Sequence, residues 1–402
     1  MDLRWLTGAV LLWGLAACSP TPQLPPVPTL TPSPPLDTPW GAVSVLAEAP
    51  VFHPPALISD KTGFIAAAFV PSETAWRLKL YRDDQPIETD ITARNPYSLS
   101  LYATSNDGIF AVWLDYDGGQ LYVAHLTRDG DSALGGVLVT DAPAVRVSAA
   151  ATADGGLWLV WSTAPIPESV LMVSRIDGLG RPRTPARLTH NADFPAVLRA
   201  DGRTWLYWLT ATDGALYRAE LTEAQTLSEP SRLTDGIALE TGDVFNGLSV
   251  GTDTTSAYVF WQVVQRDSQS QVWWTAGGLT TPSWESPRRL SLTFDSTRPP
   301  VPAGFNVGDT QSAQLSDDLP IQWLLPAVGQ SDTLPTAAGW GNSVGVLYWR
   351  DGAPFSSQTV EDAQHLIAPP AVAYDAERDL ALAWWNVLTD QAAGLSIVYS
   401  RR

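Results

Sequence analysis

Asp-Gly turns followed by short apolar, aromatic runs punctuate this chain. In Ala153-Asp154-Gly155-Gly156-Leu157-Trp158-Leu159-Val160-Trp161 and in Ala200-Asp201-Gly202-Arg203-Thr204-Trp205-Leu206-Tyr207-Trp208, the turn leads into a run ending in Trp, and a second turn and run follow. Looser copies end at Phe69, Trp113, Trp261, Trp323 and Trp384, so seven anchors recur 44 to 62 residues apart. A period in the forties marks four-stranded propeller blades. The pattern predicts an all-β, seven-bladed β-propeller.

The fourth repeat is the best formed. Pro195 to Ala200 reads as an inner strand, Thr204 to Leu209 as a second, Ala215 to Leu221 as a third, and Ser231-Arg232-Leu233-Thr234 as the outer strand. Asp-Gly between apolar runs signals a hairpin, because both central turn positions need positive φ. Trp205-Leu206-Tyr207-Trp208 is apolar on both faces, as a strand covered by a neighbouring blade on each side must be. The same order recurs through Ile109 to Trp113, Leu157 to Trp161 and Ala257 to Trp261. Blade one, through Phe64 to Phe69, lacks the Trp anchor. Blade six is weakest: Ile321 to Leu325, a long loop to Asn342, then Val346 to Trp349. If Val344 to Tyr348 were instead a second strand, the count would become eight.

After Leu380 to Trp385 and Leu395 to Ser400, blade seven has no outer strand of its own. Ala42-Val43-Ser44-Val45-Leu46, followed by Pro54-Pro55-Ala56-Leu57, matches the outer-strand-then-inner-strand order of Ala186-Arg187-Leu188-Thr189 and Pro195-Ala196-Val197-Leu198. The N-terminal strand is therefore expected to pair into the last blade, closing the ring and removing an unpaired edge.

Residues 1–17 read as an address: one Arg, an apolar stretch from Trp5 to Gly14 too short to span a bilayer, then Leu15-Ala16-Ala17-Cys18. This resembles the bacterial lipoprotein signal, whose cleavage leaves a lipidated N-terminal Cys. Cys18 is the only Cys in the chain, which fits acylation and excludes an intrachain disulfide. Residues 18–39 carry nine Pro after Cys18 and form an extended stalk, able to hold residues 40–402 up to about 65 Å from the membrane. The expected location is extracytoplasmic and lipid-anchored; by the same resemblance, Ser19 after the Cys favours the outer membrane of a two-membrane cell, or the surface of a one-membrane cell. A net charge of −18 excludes nucleic acid as a partner.

The repeats are similar to the sialidase-like (BNR-type) and Tol-system-type propellers, in which a strand ending in Arg-Leu-Thr, a Pro-containing strand, an Asp-Gly turn and a run ending in Trp follow one another. The sialidase Asp-box is only approximated by Thr152-Ala153-Asp154-Gly155-Gly156-Leu157-Trp158: its Trp comes one position early, and the stretch joins inner and second strands. A retaining sialidase, by this resemblance, needs three Arg on a carboxylate, a Tyr assisted by Glu, and an acid Asp. No Arg-Ile-Pro motif is present and no Arg triad can be assigned.

Propeller loops vary without disturbing the core, so the loop face is the expected recognition surface. Its candidates are His53, Arg94, His190, Asp193, Glu240, Asp295, Arg298 and His365, with Trp340 in the long loop as the aromatic expected to face solvent. His53 and His365 would need Asp193 or Glu361 to hold a transition metal, and no ligand spacing supports this. Asp115-Tyr116-Asp117-Gly118-Gly119 reads as a hairpin turn in preference to a calcium loop. No cofactor or metal is expected. The reading is a monomeric, membrane-anchored binding or scaffolding propeller for a protein or carbohydrate ligand. The alternative is a sialidase-like glycoside hydrolase.

Overall fold

A computed structural model of the chain describes residues 40–49, 55–60, 62–165, 167–210, 214–234, 243–265, 270–279, 281, 283–290, 323–326, 334–340, 343–350, 353–362, 370–375, 379–389 and 392–400. Among the described residues there are 28 strands, no helix, and seven four-stranded antiparallel sheets. The first strand is β1 (Ser44–Ala49). Sheet one is β2 (Ala56–Asp60), β3 (Gly63–Pro71), β4 (Trp76–Arg82) and β5 (Gln85–Ala93). Sheet two is β6 (Pro96–Ala103), β7 (Ile109–Asp115), β8 (Gln120–Leu126) and β9 (Ser132–Thr140). Sheet three is β10 (Arg146–Ala151), β11 (Leu157–Ser162), β12 (Val170–Ile176) and β13 (Ala186–His190). Sheet four is β14 (Ala192–Ala200), β15 (Arg203–Thr210), β16 (Leu216–Glu220) and β17 (Ser231–Arg232). Sheet five is β18 (Val244–Thr252), β19 (Ser256–Val264), β20 (Ser270–Gly278) and β21 (Arg288–Arg289). Sheet six is β22 (Trp323–Pro326), β23 (Leu334–Trp340), β24 (Ser343–Arg350) and β25 (Ala353–Asp362). In sheet seven β26 (Ala371–Asp375), β27 (Asp379–Thr389) and β28 (Ala392–Tyr399) are joined by β1, which pairs antiparallel with β28 from Ser44 opposite Ile397 to Ala49 opposite Ala393.

Side-chain alternation explains why the strands are apolar on both faces. Phe110, Val112 and Leu114 of β7 pack with Leu157, Leu159 and Trp161 of β11, whereas Ile109, Ala111 and Trp113 pack with Ile65, Ala67 and Phe69 of β3. Each sheet is thus wedged between its neighbours in the chain. Trp158 and Trp208 fill the seam of sheets three and four, and Tyr207 and Trp261 that of four and five. Phe260 and Trp349 fill the seam of five and six, and Tyr348 and Trp384 that of six and seven. Another cluster sets Trp385 of sheet seven against Phe64 of sheet one, so the last sheet packs on the first. Both faces of every such strand leave water, and at about 25 cal/mol per Å² this burial is the main stabilising contribution.

The seam of sheets seven and one is also hydrogen-bonded. Asp83 and Asp84 form the two-residue turn between β4 and β5, both with positive φ (45° and 70°). Asp84 accepts hydrogen bonds from Ser44 Oγ of β1 at 2.9 Å and from the Tyr399 hydroxyl of β28 at 2.8 Å. Burial, then the Asp84 carboxylate, raises the Tyr399 pKa, which keeps this donor protonated.

The Asp201-Gly202 turn forms as expected. Asp201-Gly202 is a two-residue hairpin with both φ positive (50° and 74°), as a type I′ turn requires. Thr152–Gly156 joins β10 to β11, first strand to second: Gly156 N donates to Thr152 Oγ1 at 3.1 Å, and buried Arg175 donates to Thr152 Oγ1 at 2.8 Å and to Asp154. This turn is a structural fastening.

Sheet six departs from expectation. The stretch read as a long loop before Asn342 contains β23, which ends at Trp340 and pairs with both β22 and β24. Trp340 is therefore a strand-end residue and not a loop aromatic. Leu-Pro-Thr-Ala-Ala-Gly-Trp lacks the β-branched, aromatic signature of a strand. Pro335 is tolerated because the β22 ladder begins only at Thr336.

One buried group stands out. Both ring nitrogens of His125 are buried without a hydrogen-bond partner, and the ring stacks on Phe110 at 4.6 Å. Burial lowers its pKa, with Asp177 pulling the other way. Below the ordinary value of 6.5 the unfolded chain takes up a proton that the folded chain refuses, so stability present above 6.5 is lost as pH falls towards the folded-state value. Urea midpoints at pH 7.5 and 5.5 should fall more for the native chain than for His125→Leu. Equal falls would show that His125 does not titrate in this window.

Candidate functional site

Two backbone hydrogen bonds place the turn between β7 and β8 beside the loops that lead into β6 and β10. Tyr116 N donates to Asn95 O at 2.9 Å, and Ala144 N donates to Gly119 O at 2.7 Å. Gly119 is required here: its φ is +64°, and a Cβ would lie 2.9 Å from the Ala144 carbonyl oxygen. This turn, Tyr116 to Gly119, therefore sits rigidly on the loop face.

Outward of the turn, between sheets one and two, lies a cleft of about 350 Å³. Its polar lining includes Asp90, Arg94, Asp115, Asp117 and Gln120; its aromatic lining is Trp113 and Tyr122. Asp115 is 6 % exposed and accepts a hydrogen bond from Asp117 N at 3.2 Å. The Tyr122 hydroxyl donates to Gln120 Oε1 at 2.8 Å, and its ring stacks on Trp113 at 5.5 Å with 10° between planes. Asp90 accepts from Ser132 Oγ at 2.7 Å. The cleft exists because β9 has no side chains where it passes Trp113. Val123 pairs with Val137 and His125 with Leu134, so Gly135 and Gly136 form a bulge opposite Ala124. A Cβ on Gly136 would lie 2.8 Å from Trp113 Cη2; one on Gly135 would meet open space.

The first strands of sheets two, four and five begin with bulges: between Pro96 and Ser98, Asp193 and Ala196, and Phe245 and Leu248. Bulges re-aim side chains and occur beside functional sites. Tyr97 meets Tyr116 edge to face, with centroids 5.7 Å apart at 88°. Arg146 Nη1 donates to Asp193 Oδ2 at 2.6 Å, and its guanidinium lies 4.0 Å over the Phe194 ring. Asp193 Oδ1 accepts from Phe194 N at 2.7 Å. Phe194 has φ +56°, an outlier for a bulky residue, held in place by these two contacts.

Of the residues singled out from sequence, Arg94 is exposed and lines the cleft. Asp193 is fully buried beneath Arg146, so it positions a cation and does not itself face a ligand. His190 is exposed at the end of β13, its Nε2 3.4 Å from Arg187 Nη1, and no contact brings it to the cleft. The Trp340 side chain, and Cys18, His53, Glu240, Asp295, Arg298 and His365, lie outside the described residues. Among the described residues no group of three or more His, Cys, Asp or Glu is spaced to hold a metal ion. Sequence reasoning missed Trp113, Gln120, Tyr122 and Arg146 as site residues. The available signal was Gly135-Gly136, since paired glycines within a strand pattern mark a bulge or an open space.

No protein-family pattern and no curated protein matches the chain. Its fold is similar to that of solved polysaccharide lyases. An ulvan lyase of a new polysaccharide lyase family, bound to -[GlcA(1-4)Rha3S]-, aligns over 87 % of this chain and 94 % of its own, with 9 % identity and a TM-score of 0.52. The polysaccharide lyase Uly1 aligns over 88 % and 91 %, with 9 % identity and a TM-score of 0.53. A looser likeness, with a TM-score of 0.44 and 11 % identity over 77 % and 95 % of the two chains, is to a six-bladed β-propeller lectin from Aleuria aurantia. At these identities the likeness is one of fold alone. The chain has an all-β fold of four-stranded antiparallel sheets, with propeller proteins among its structural neighbours.

Proposed function

We propose that this chain is a seven-bladed β-propeller that binds carbohydrate on its loop face, anchored outside the cytoplasm by lipid on Cys18. The observation that carries the binding reading is the cleft between sheets one and two. It combines the Tyr122 ring, stacked over the buried Trp113, with carboxylate acceptors on Asp90, Asp115 and Asp117, the Gln120 amide and the Arg94 guanidinium in about 350 Å³. Sugars present just this mixture of apolar C–H faces and hydroxyls, and few convergent polar groups in a concave, partly aromatic site suit them. The chain's fold neighbours that act on polysaccharide are in keeping with this reading. The seven-bladed reading is supported by the seams, which run from each sheet to the next and from sheet seven back to sheet one, and by β1 as the outer strand of sheet seven. The Cys18 anchor rests on sequence.

The test is an immobilised glycan panel probed with the purified full-length protein, with mass readout of each spot. Retained protein on glycans of unchanged mass is the expected result. Loss of a terminal sugar would make the chain a hydrolase, and absence of retention on every glycan would sink the carbohydrate reading.

A further inference from the structure

Three carboxylates are buried among the described residues, and two of them are fully provided for. Asp193 accepts from Arg146 Nη1 with one oxygen and from Phe194 N with the other. Asp253 accepts from Thr255 N, Thr255 Oγ1 and Ser256 N with one oxygen and from the Tyr258 hydroxyl, at 2.6 Å, with the other. Asp115, which lines the cleft, is the exception. Its Oδ1 takes the 3.2 Å bond from Asp117 N, while its Oδ2 has no hydrogen-bond or ion-pair partner among the described residues. An ionised carboxylate offers about four acceptor positions, and leaving them empty in a nearly dry site is costly until a partner arrives. The rest of the lining does not supply that partner. Asp90 and Asp117 add two more carboxylates against the one guanidinium of Arg94, and none of the four groups is in an ion pair among the described residues. Asp117 is exposed, and its N–H ties it to Asp115, so both carboxyl groups belong to one turn. The Tyr122 ring lines the same cleft, its hydroxyl bonded to Gln120. An unbalanced negative charge thus shares about 350 Å³ with a flat apolar face.

We propose that the occupant of the cleft is an amino sugar, a saccharide whose ring carries a free, protonated amine. This rests on the carbohydrate reading above. The ammonium donates to Asp115 Oδ2 and to the Asp117 carboxylate, which balances the excess charge, and a C–H face of the ring lies on Tyr122. The Gln120 amide and Arg94 are left to donate to hydroxyls. N-acetylation would replace the ammonium by a neutral amide and leave Asp115 uncompensated. A uronate would add a further carboxylate to a cleft that already holds three, on a protein with a net charge of −18, and would be repelled.

The experiment is calorimetric titration of the full-length protein, in mildly acidic buffer where sugar amines are protonated, with glucosamine, galactosamine and mannosamine, each beside its N-acetyl form, its parent hexose and the matching uronate. For the configuration that binds, the free amine should bind about tenfold tighter than the N-acetyl and parent forms, the size of one charge-assisted hydrogen bond. That ratio should shrink as salt is raised. Asp115→Asn keeps an acceptor for Asp117 N and should bring the ratio to about one; Asp117→Asn, on an exposed side chain, should lower it as well. A ratio of one in the native chain, tighter binding of the uronate, or a ratio that survives both substitutions would overturn the amino-sugar proposal and leave the cleft reading standing. A simple diamine that bound as tightly as the amino sugar would overturn the sugar as occupant. No binding by any saccharide would overturn both the proposal and the carbohydrate reading.

Discussion

Trp349→Ala should lower the unfolding free energy by about 4 kcal/mol, the middle of the range for emptying a large aromatic site in a core. The indole is fully buried in the seam of sheets five and six, where Phe260 and Trp274 each meet it at 4.9 Å and Tyr258 at 5.9 Å. Four aromatic rings share this space, so the surroundings cannot collapse into it cheaply. The substitution also removes a hydrogen bond: Trp349 Nε1 donates to Thr336 Oγ1 at 3.0 Å, and Thr336 is itself fully buried. That Oγ1 donates onward to Leu347 O at 3.1 Å, so its hydrogen stays satisfied and only its acceptor side is left bare. Trp349→Phe keeps a ring but loses the N–H and should cost less than half as much. Urea titration read by far-ultraviolet circular dichroism measures both. A loss under about 1 kcal/mol for Trp349→Ala would mean that the seam repacks, contrary to the close packing of protein interiors.

Gly136→Leu should reduce saccharide affinity by about a hundredfold while leaving the chain folded, comparable to losing a binding hot spot. The added side chain starts 2.8 Å from Trp113 Cη2, in the gap that the bulge of β9 leaves open, and must occupy the cleft or displace the indole edge. Gly135→Ala is the matched control, because its Cβ meets nothing within 4 Å. It should bind as the native chain does. Titration calorimetry with the saccharide retained on the panel reads the difference. Undiminished affinity of Gly136→Leu would place the ligand elsewhere on the loop face.

How much of this was legible in the sequence depends on whether the residues that build a feature are adjacent in the chain. Trp113, Trp161, Trp208, Trp261 and Trp384 recur at near-regular spacing because each fills the same kind of seam, and all are buried. Asp201-Gly202 forms its hairpin for a reason confined to two residues. The pairing of β1 with β28 could be anticipated because Ala42 to Leu46, followed by Pro54 to Leu57, repeats the outer-then-inner strand order of Ala186 to Thr189 and Pro195 to Leu198. By contrast, β23 is held by burial of Leu334, Thr336 and Ala337 between neighbours, and its composition gives no local sign of a strand. The candidate site was legible only in part. Arg94 and the Asp115 to Gly119 turn are local features, whereas the cleft arises where β5 of one sheet faces a bulge in β9 of the next. Asp193 stood out as a loop carboxylate, but its partner Arg146 is 47 residues away in sequence.

The central claim is that a saccharide occupies the cleft between sheets one and two. A crystal structure of the protein soaked with the saccharide retained on the glycan panel tests it most directly. The account predicts sugar density against the Tyr122 ring, which covers the buried Trp113, with hydroxyls within hydrogen-bond distance of Asp117 and Gln120. Sugar density on any other part of the protein, with the cleft holding solvent alone, would contradict it.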